Sequence, residues 1–418
     1  MVITIVVLLI LAGVSINLVV NNNGVIQRSK EARDKYGQAK DNEQAQMSGV
    51  SEWIDEQAGN KEGLIKLPDA TEETKPYLPK GFEKEEGTNL DNGLVIKDSV
   101  GNEYVWVEVP TSIYENESYN TEVSTGDKKP TSKEETEKIE YCLKQYTSVY
   151  GQDRYADEYI QDSTKGWFAG ETEYNDAKKT ILKSVYENGG FYVGRYEAGI
   201  SEFRISNENE PTTVPVSKQN MFPYTNITRT QAKQLAERVN SGECTSSLMF
   251  GIQWNLMLAF IQKKGKIETT VLTESSTNIG NYANNEWNIT NNQAQYYTEE
   301  NGIWKGCPYS KSGIELVLLT TGASDSFEQM HIYDVAGNVS EWTLEGDMNA
   351  KTGLMNIKLA SILNKQVSPL RVAIRTNGPC VKRGGIYEYL GFEGSASSHI
   401  FDDADDTTIS DGFRVSIY

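Results

Sequence analysis

Histidine is nearly absent. The 418-residue chain has two, His331 and His399, which is too few for a His-rich metal site. Cysteine is scarce as well: Cys142, Cys244, Cys307 and Cys380 form no C-x-x-C pair, so the zinc and thioredoxin signatures are missing. Their even number leaves two readings open, up to two disulfides with three full connectivities, or buried thiols. Basic charge is also short. Forty Lys and Arg against 59 Asp and Glu leave a net charge of −19, which argues against nucleic acid, because a phosphate backbone repels such a surface. The chain shows no internal repeat, no nucleophile elbow and no second long apolar run. Aromatic residues, by contrast, are plentiful, with 23 Tyr and 7 Trp. They can support a packed core, and they supply amphipathic rings of the kind enriched at binding surfaces.

The one long apolar run is MVITIVVLLILAGVSINLVV, residues 1–20, with no charge before Arg28. At helical rise it spans roughly 30 Å, the thickness of a bilayer core. Neither a basic n-region nor an A-x-A site accompanies it, so it reads as a membrane segment rather than a cleaved signal peptide. Beyond it, Val25, Ser29, Ala32, Tyr36, Ala39, Glu43, Gln46, Val50 and Trp53 recur at spacings of three and four, a mostly small or apolar stripe along one helix face. Asn21-Asn22-Asn23-Gly24 weakens the helix between its halves, and Ala58-Gly59-Asn60 is a stop. The expectation is one long helix over 1–57, then a linker over 58–84. The run VITIVVLLILAGVSINLVVNNNGVIQRSKEARDKYGQA resembles type IV pilins and pseudopilins. That resemblance implies a rod that sits first in the membrane and then self-associates in a filament core, at a bacterial cell surface. The prepilin leader, its glycine site and the acidic residue near the mature start are missing, so Met1 is read as a misplaced start or a truncated edge.

Further on, Gly93–Ile96, a turn at 98–102 and Tyr104–Pro110 predict a hairpin of β-branched and aromatic strands. Residues 111–178 and 270–312 are polar and read as insertions, the first with helical fragments and the second as surface loops. Gly189–Ala198 predicts a strand. Thr228 and Gln231 make a capping box for a helix buried through Ala232, Leu235, Ala236 and Val239, and a second helix spans about 253–262.

Three motifs follow: Tyr333-Asp-Val-Ala-Gly-Asn-Val-Ser-Glu-Trp-Thr343, Lys382-Arg-Gly-Gly385 and Asp411-Gly-Phe-Arg-Val415. With the capped helix ahead of them, they resemble the C-type lectin fold of formylglycine-generating enzymes and their relatives. The fold class expected is therefore α+β: the long helix, then a lectin-type domain over 85–418 with a mixed antiparallel sheet, two helices and long loops. Structural roles suit Asp334, Gly337, Asn338, Trp342, Arg383, Gly384, Gly385, Gly412, Phe413 and Arg414. Gly337 and Asn338 tolerate φ > 0, Trp342 fills a core, and Arg383 offers a fork of donors to buried acceptors.

Catalysis finds no support. In formylglycine-generating enzymes a cysteine pair lies between the last two motifs, yet 386–411 holds no cysteine; nor can two distant histidines form the cluster of iron sulfoxide synthases. That stretch, IYEYLGFEGSASSHIFDDADDTTISD, mixes rings with Ser, Gly and Asp, as a paratope does. In variable proteins of diversity-generating retroelements the corresponding segment is the mutated ligand-binding face. By that resemblance the display positions are Tyr387, Tyr389, Phe392, Ser395, Ser397, His399, Phe401, Asp402 and Asp403; the competing reading is an ordinary polar loop. Asp402, Asp403, Asp405 and Asp406 are candidate oxygen ligands for Ca²⁺, with no other cofactor implied. The expectation is a pilin-like surface filament subunit that recognises a protein or glycan ligand and does not catalyse. The alternatives are a purely structural pilin and a membrane-tethered monomeric binding protein.

Overall fold

A computed structural model describes residues 65–120, 129–151, 157–239, 244–348 and 378–418. All of them fall in the unit Gly63–Tyr418. Ten strands in two sheets carry this unit: β1 (Phe82–Lys84), β2 (Val95–Asp98), β3 (Glu103–Glu108), β4 (Gly190–Gly194), β5 (Ser246–Leu248), β6 (Ser340–Gly346), β7 (Cys380–Arg383), β8 (His399–Asp402), β9 (Asp411–Phe413) and β10 (Val415–Ile417).

The larger sheet runs β1-β2-β3-β4-β10-β5 and is antiparallel throughout. Its centre follows from composition. In β3, Tyr104, Val105, Trp106 and Val107 are all buried, so the strand is covered on both faces and reads as a continuous apolar run. The β2–β3 turn is built by Asp98, whose Oδ1 accepts the backbone N–H of Val100 at 3.0 Å and of Asn102 at 2.8 Å. The smaller sheet runs β8-β7-β6-β9, with β6 and β9 parallel and the other pairs antiparallel. Only Arg414 separates β9 from β10, so the last strands tie the two sheets together.

Six α-helices pack around these sheets: α1 (Glu117–Asn120), α2 (Thr136–Tyr146), α3 (Glu171–Asn188), α4 (Arg229–Glu237), α5 (Gly251–Gly265) and α6 (Thr269–Thr273). α4 begins with the capping box of Thr228 and Gln231. α5 is buried from Gly251 through Ile261, as expected for a helix apolar on every side. Its first N–H groups are taken by a carboxylate from far upstream: Asp157 accepts from Gly251 at 2.7 Å and from Ile252 at 3.0 Å.

The expected fold class needs correction. In place of two helices and one mixed antiparallel sheet, the described residues form six α-helices and seven sheets. The additional elements lie largely where insertions were expected. Within 111–178, Ile139, Cys142 and Leu143 bury one face of α2; α3, which begins there and runs on to Asn188, buries Tyr174, Ile181, Leu182 and Val185. In 270–312, short ladders enclose a small core around Trp287 and Ala294. Both stretches are polar on average, but their apolar residues recur at element spacing. The stretch 58–84 contributes strands from Ile65 onward, and Phe82–Lys84 is an edge of the larger sheet. No pilin-like rod is present among the described residues, whose longest helix is the 18-residue α3. None of their helices is long and apolar enough to cross a membrane. The helix expected over 1–57 and the membrane segment at 1–20 lie outside the described residues.

Candidate functional site

The motif residues form a buried scaffold. Asp334, Gly337 and Asn338 have φ of 57°, 71° and 55°, a left-handed turn that feeds β6. A Cβ on Gly337 would stand 2.1 Å from the Asn281 carbonyl oxygen, so only glycine fits. The Asn338 side chain donates to Glu197 at 2.8 Å and accepts from Leu319 N–H at 3.0 Å. Asp334 Oδ2 accepts from Gly322 N–H at 2.8 Å. Arg414 donates to Glu341 from Nη2 at 2.7 Å and to the carbonyls of Gly194 and Tyr333 at 2.9 and 2.8 Å. Burial pushes the Glu197 and Glu341 carboxyls above their usual range and the Asp334 carboxyl up to about 6; the Arg414 guanidinium opposes burial in all three. Trp342 and Phe413 are buried, and Trp342 Nε1 donates to the Ile227 carbonyl at 3.2 Å. Gly412 leaves room for Val339, which a Cβ would approach to 2.8 Å.

Arg383 belongs to a second buried cluster. It contacts Asn255 and His399 and lies 3.3 Å from Glu345, while His399 Nε2 lies 3.0 Å from Glu345. Gly384 and Gly385 follow with φ of 92° and 77°. A Cβ on Gly385 would meet the Gly394 carbonyl oxygen at 2.1 Å, which brings both ends of the 385–394 loop together.

This loop and β8 carry the nine display positions expected from the sequence. Tyr387, Tyr389, Ser395, Ser397, His399, Phe401 and Asp402 are buried. Phe392 is 59% exposed, and Asp403 is exposed beyond the end of β8. The segment is held onto α5 and α6: Trp254 Nε1 donates to the Ala396 carbonyl at 2.9 Å, Ser397 N–H to Leu272 at 3.0 Å, and Ser395 Oγ to Thr273 at 3.1 Å. The backbone thus presents Phe392 and Asp403 and turns the remaining positions inward.

Of the four aspartates expected to hold calcium, Asp402 and Asp406 converge with Asp411, whereas Asp403 and Asp405 are exposed. The converging set already holds a cation. Lys382 Nζ lies 2.6 Å from Asp402 and 2.7 Å from Asp411, over the Trp342 ring at 4.7 Å. A hard dication would have to displace a buried ammonium to bind there, so these residues do not fit Ca²⁺ while Lys382 stays in place.

A surface that the motifs did not point to lies beside this segment. Gln295–Tyr297 pairs with Trp304–Gly306 in the 270–312 stretch, with Tyr297 directly across from Trp304. Cross-strand partners share one face of a sheet, so these rings form a pair. Phe203 and Phe222 complete the group, with ring centroids 5.2 and 4.8 Å from Trp304. All four rings are half-buried; Phe203, Tyr297 and Trp304 pack against the buried cluster of Leu318, Val339 and Tyr387, and Phe222 packs against the main core. The sequence signal was the aromatic pair Tyr296-Tyr297 and Trp304 flanking an Asn-Gly turn.

No protein-family model matches the chain and no curated protein matches its sequence. Its chemistry is therefore read from the arrangement itself. The buried ionisable groups of the motifs and β8 pair with one another: Arg414 with Glu341, Lys382 with Asp402 and Asp411, and His399 and Arg383 with Glu345. Burial pushes the Cys380 thiol up to about 11, a protonated and weakly nucleophilic state at neutral pH. Two clefts, of about 560 and 620 Å³, also open, the first lined by Phe168, Cys244 and Tyr418 and the second by Thr228, Gln231 and Arg238 together with Ala404 and Asp405 of the 386–411 segment. The half-buried aromatic face suits contact with a ligand better than it suits a reaction.

Proposed function

We propose that the protein is a recognition protein of the bacterial cell surface, held there by the apolar segment 1–20, and that it binds a ligand without catalysis. It acts as a subunit of a pilin-like filament or as a single anchored molecule. The binding face is the aromatic group of Phe203, Phe222, Tyr297 and Trp304. The observation that carries this reading is the cross-strand pair Tyr297–Trp304, with two further rings beside it, half-buried beside the cluster that holds Tyr387. Rings that remain at the surface provide rigid contact area at little entropic cost. The resemblance of the last three motifs to formylglycine-generating-enzyme relatives supports the same reading, because the cysteine pair of the enzymes has no counterpart in 386–411.

The test is a binding screen of the purified chain against producer-cell surface proteins and a glycan array, repeated with Trp304→Ala. Binding that Trp304→Ala lowers at least tenfold, with unchanged far-ultraviolet circular dichroism, supports the reading. Binding insensitive to Trp304→Ala and Tyr297→Ala removes the aromatic face from it. Electron microscopy of filaments sheared from cells then separates a filament subunit from a single anchored molecule.

A further inference from the structure

A second site, which shares no residue with the aromatic face, lies at the open edge of the larger sheet. β5 is the last strand in the order β1-β2-β3-β4-β10-β5, so one side of it has no strand partner. Thr245 and Tyr418 exchange both of their N–H···O=C bonds, each at 3.0 Å. Such pairs alternate along an antiparallel ladder with pairs that exchange none. Ser246, next in line and opposite Ile417, therefore turns its N–H and C=O away from β10. No described residue bonds to either group. The Ser246 hydroxyl has no hydrogen-bond partner either, although the residue is only 4% exposed. Buried polar groups ordinarily find partners, and a bare strand edge is ordinarily covered. Ser246 lines the cleft of about 560 Å³, whose other walls include Ala177 and Thr180 of α3, Phe168, and Leu344 of β6.

We propose that this cleft binds an extended peptide segment of another protein, one residue of which pairs with the edge of β5. A residue opposite Ser246 accepts its N–H and donates to its C=O, the exchange by which a peptide extends a sheet. The Ser246 hydroxyl offers a third polar contact. Ala177, Phe168 and Leu344 suit an apolar side chain beside that pair. The recess selects for a single chain: with Ser246 buried, the cleft admits one extended segment and not the broad edge of a second copy's sheet. The inference stands apart from the recognition reading, which concerns the aromatic face.

The experiment selects a phage-displayed library of random dodecapeptides on the full chain and measures the enriched peptides by isothermal titration. The variants are Ser246→Pro, Thr180→Trp and Trp304→Ala. Proline removes the outward N–H and the hydroxyl, which an edge strand tolerates, and keeps the bonds to β10. Tryptophan at the exposed Thr180 fills the cleft from α3 and leaves β5 unaltered, so it decides the matter even where Ser246→Pro unfolds. The expected result is peptides that bind both variants about tenfold more weakly or not at all, as loss of a main-chain hydrogen bond requires. N-methylation along the same peptides should abolish binding at one position, the residue paired with Ser246, and Trp304→Ala should leave binding unchanged. Enrichment of no peptide that Thr180→Trp weakens would overturn the proposal, as would binding that survives N-methylation at every position. Peptides weakened by Trp304→Ala alone would also overturn it, while supporting the recognition reading.

Discussion

Replacing Lys382 with methionine tests the logic of the buried charge clusters. The ammonium lies 2.6 Å from Asp402 and 2.7 Å from Asp411, and all three side chains are buried. Methionine keeps most of the length and the packing on Trp342 but leaves two carboxylates facing each other. Removing one partner of a buried ion pair costs about 3–5 kcal/mol. With an unfolding entropy of about 2.1 cal/mol/K per residue over a unit of this size, Tm should fall by roughly 4–7 °C. The loss should depend on pH. In the native protein burial raises the Asp402 carboxyl to about 6; Lys382 opposes burial and a hydrogen bond with Asp406 adds to it. A folded value above the unfolded value of about 3.9 means that the folded state holds the proton more tightly between them. The contribution of Asp402 is therefore most favourable below about pH 4 and is lost as pH rises through 6. Without the ammonium the folded value moves higher still, so the deficit of Lys382→Met should be small near pH 5 and full near pH 7.5. Urea unfolding of both proteins at the two pH values measures it. A deficit under about 1 kcal/mol at neutral pH, or the same deficit at both, would refute the argument. The variant also vacates the space between Asp402, Asp406 and Asp411, so millimolar calcium should raise its Tm and leave that of the parent unchanged.

Arg414→Met should cost about 3–5 kcal/mol, because Glu341 is left buried without its fork, and Arg414→Met/Glu341→Met should recover much of the loss; urea unfolding reads both. Gly385→Ala should cost more than about 2 kcal/mol, because a Cβ at φ 77° meets the Gly394 carbonyl. Phe392→Ser, 59% exposed in the same loop, should change stability by under about 0.5 kcal/mol in the same assay. Thr228→Ala removes the acceptor for Gln231 N–H and should cost about 1 kcal/mol.

Local signals carried the parts of the fold that the sequence made legible. The capping box at Thr228, the turn at Asp98 and the turn at Gly337-Asn338 each need a particular residue type for a backbone reason, and each stands where that reason places it. The helical fragments expected in and after 111–178 stand inside α2 and α3, but the full lengths of these helices were not legible. Their polar faces dominate the composition, and only Ile139, Leu143, Ile181 and Val185, at helical spacing, mark the buried side. The long-range partners were not legible. Asp157 caps α5 from more than ninety positions upstream, and Lys382 is neutralised by residues 20 and 29 positions on. Charge runs announce that carboxylates are present without revealing that a lysine has been folded in among them.

Burial is equally illegible in the residue types of 386–411. Tyr, Ser, His and Asp look like contact residues because they are usually exposed, yet here Tyr387 and Ser397 are fully buried. Truncating a buried tyrosine costs several kcal/mol, a large share of a domain's stability, so a face built on such positions could vary only by risking the fold. Positions such as Phe392 and Asp403 escape that constraint, being exposed at the tip of the 385–394 loop and beyond β8. Two side chains make a small contact, and recognition needs more area than they supply. The rings of Phe203, Phe222, Tyr297 and Trp304 supply more area on separate segments, and Phe203, Tyr297 and Trp304 pack on a small local cluster rather than on the charged residues of β6 and β7. Buried Tyr387 belongs to the cluster on which Phe203, Tyr297 and Trp304 pack, so it serves to hold that part of the aromatic face in place.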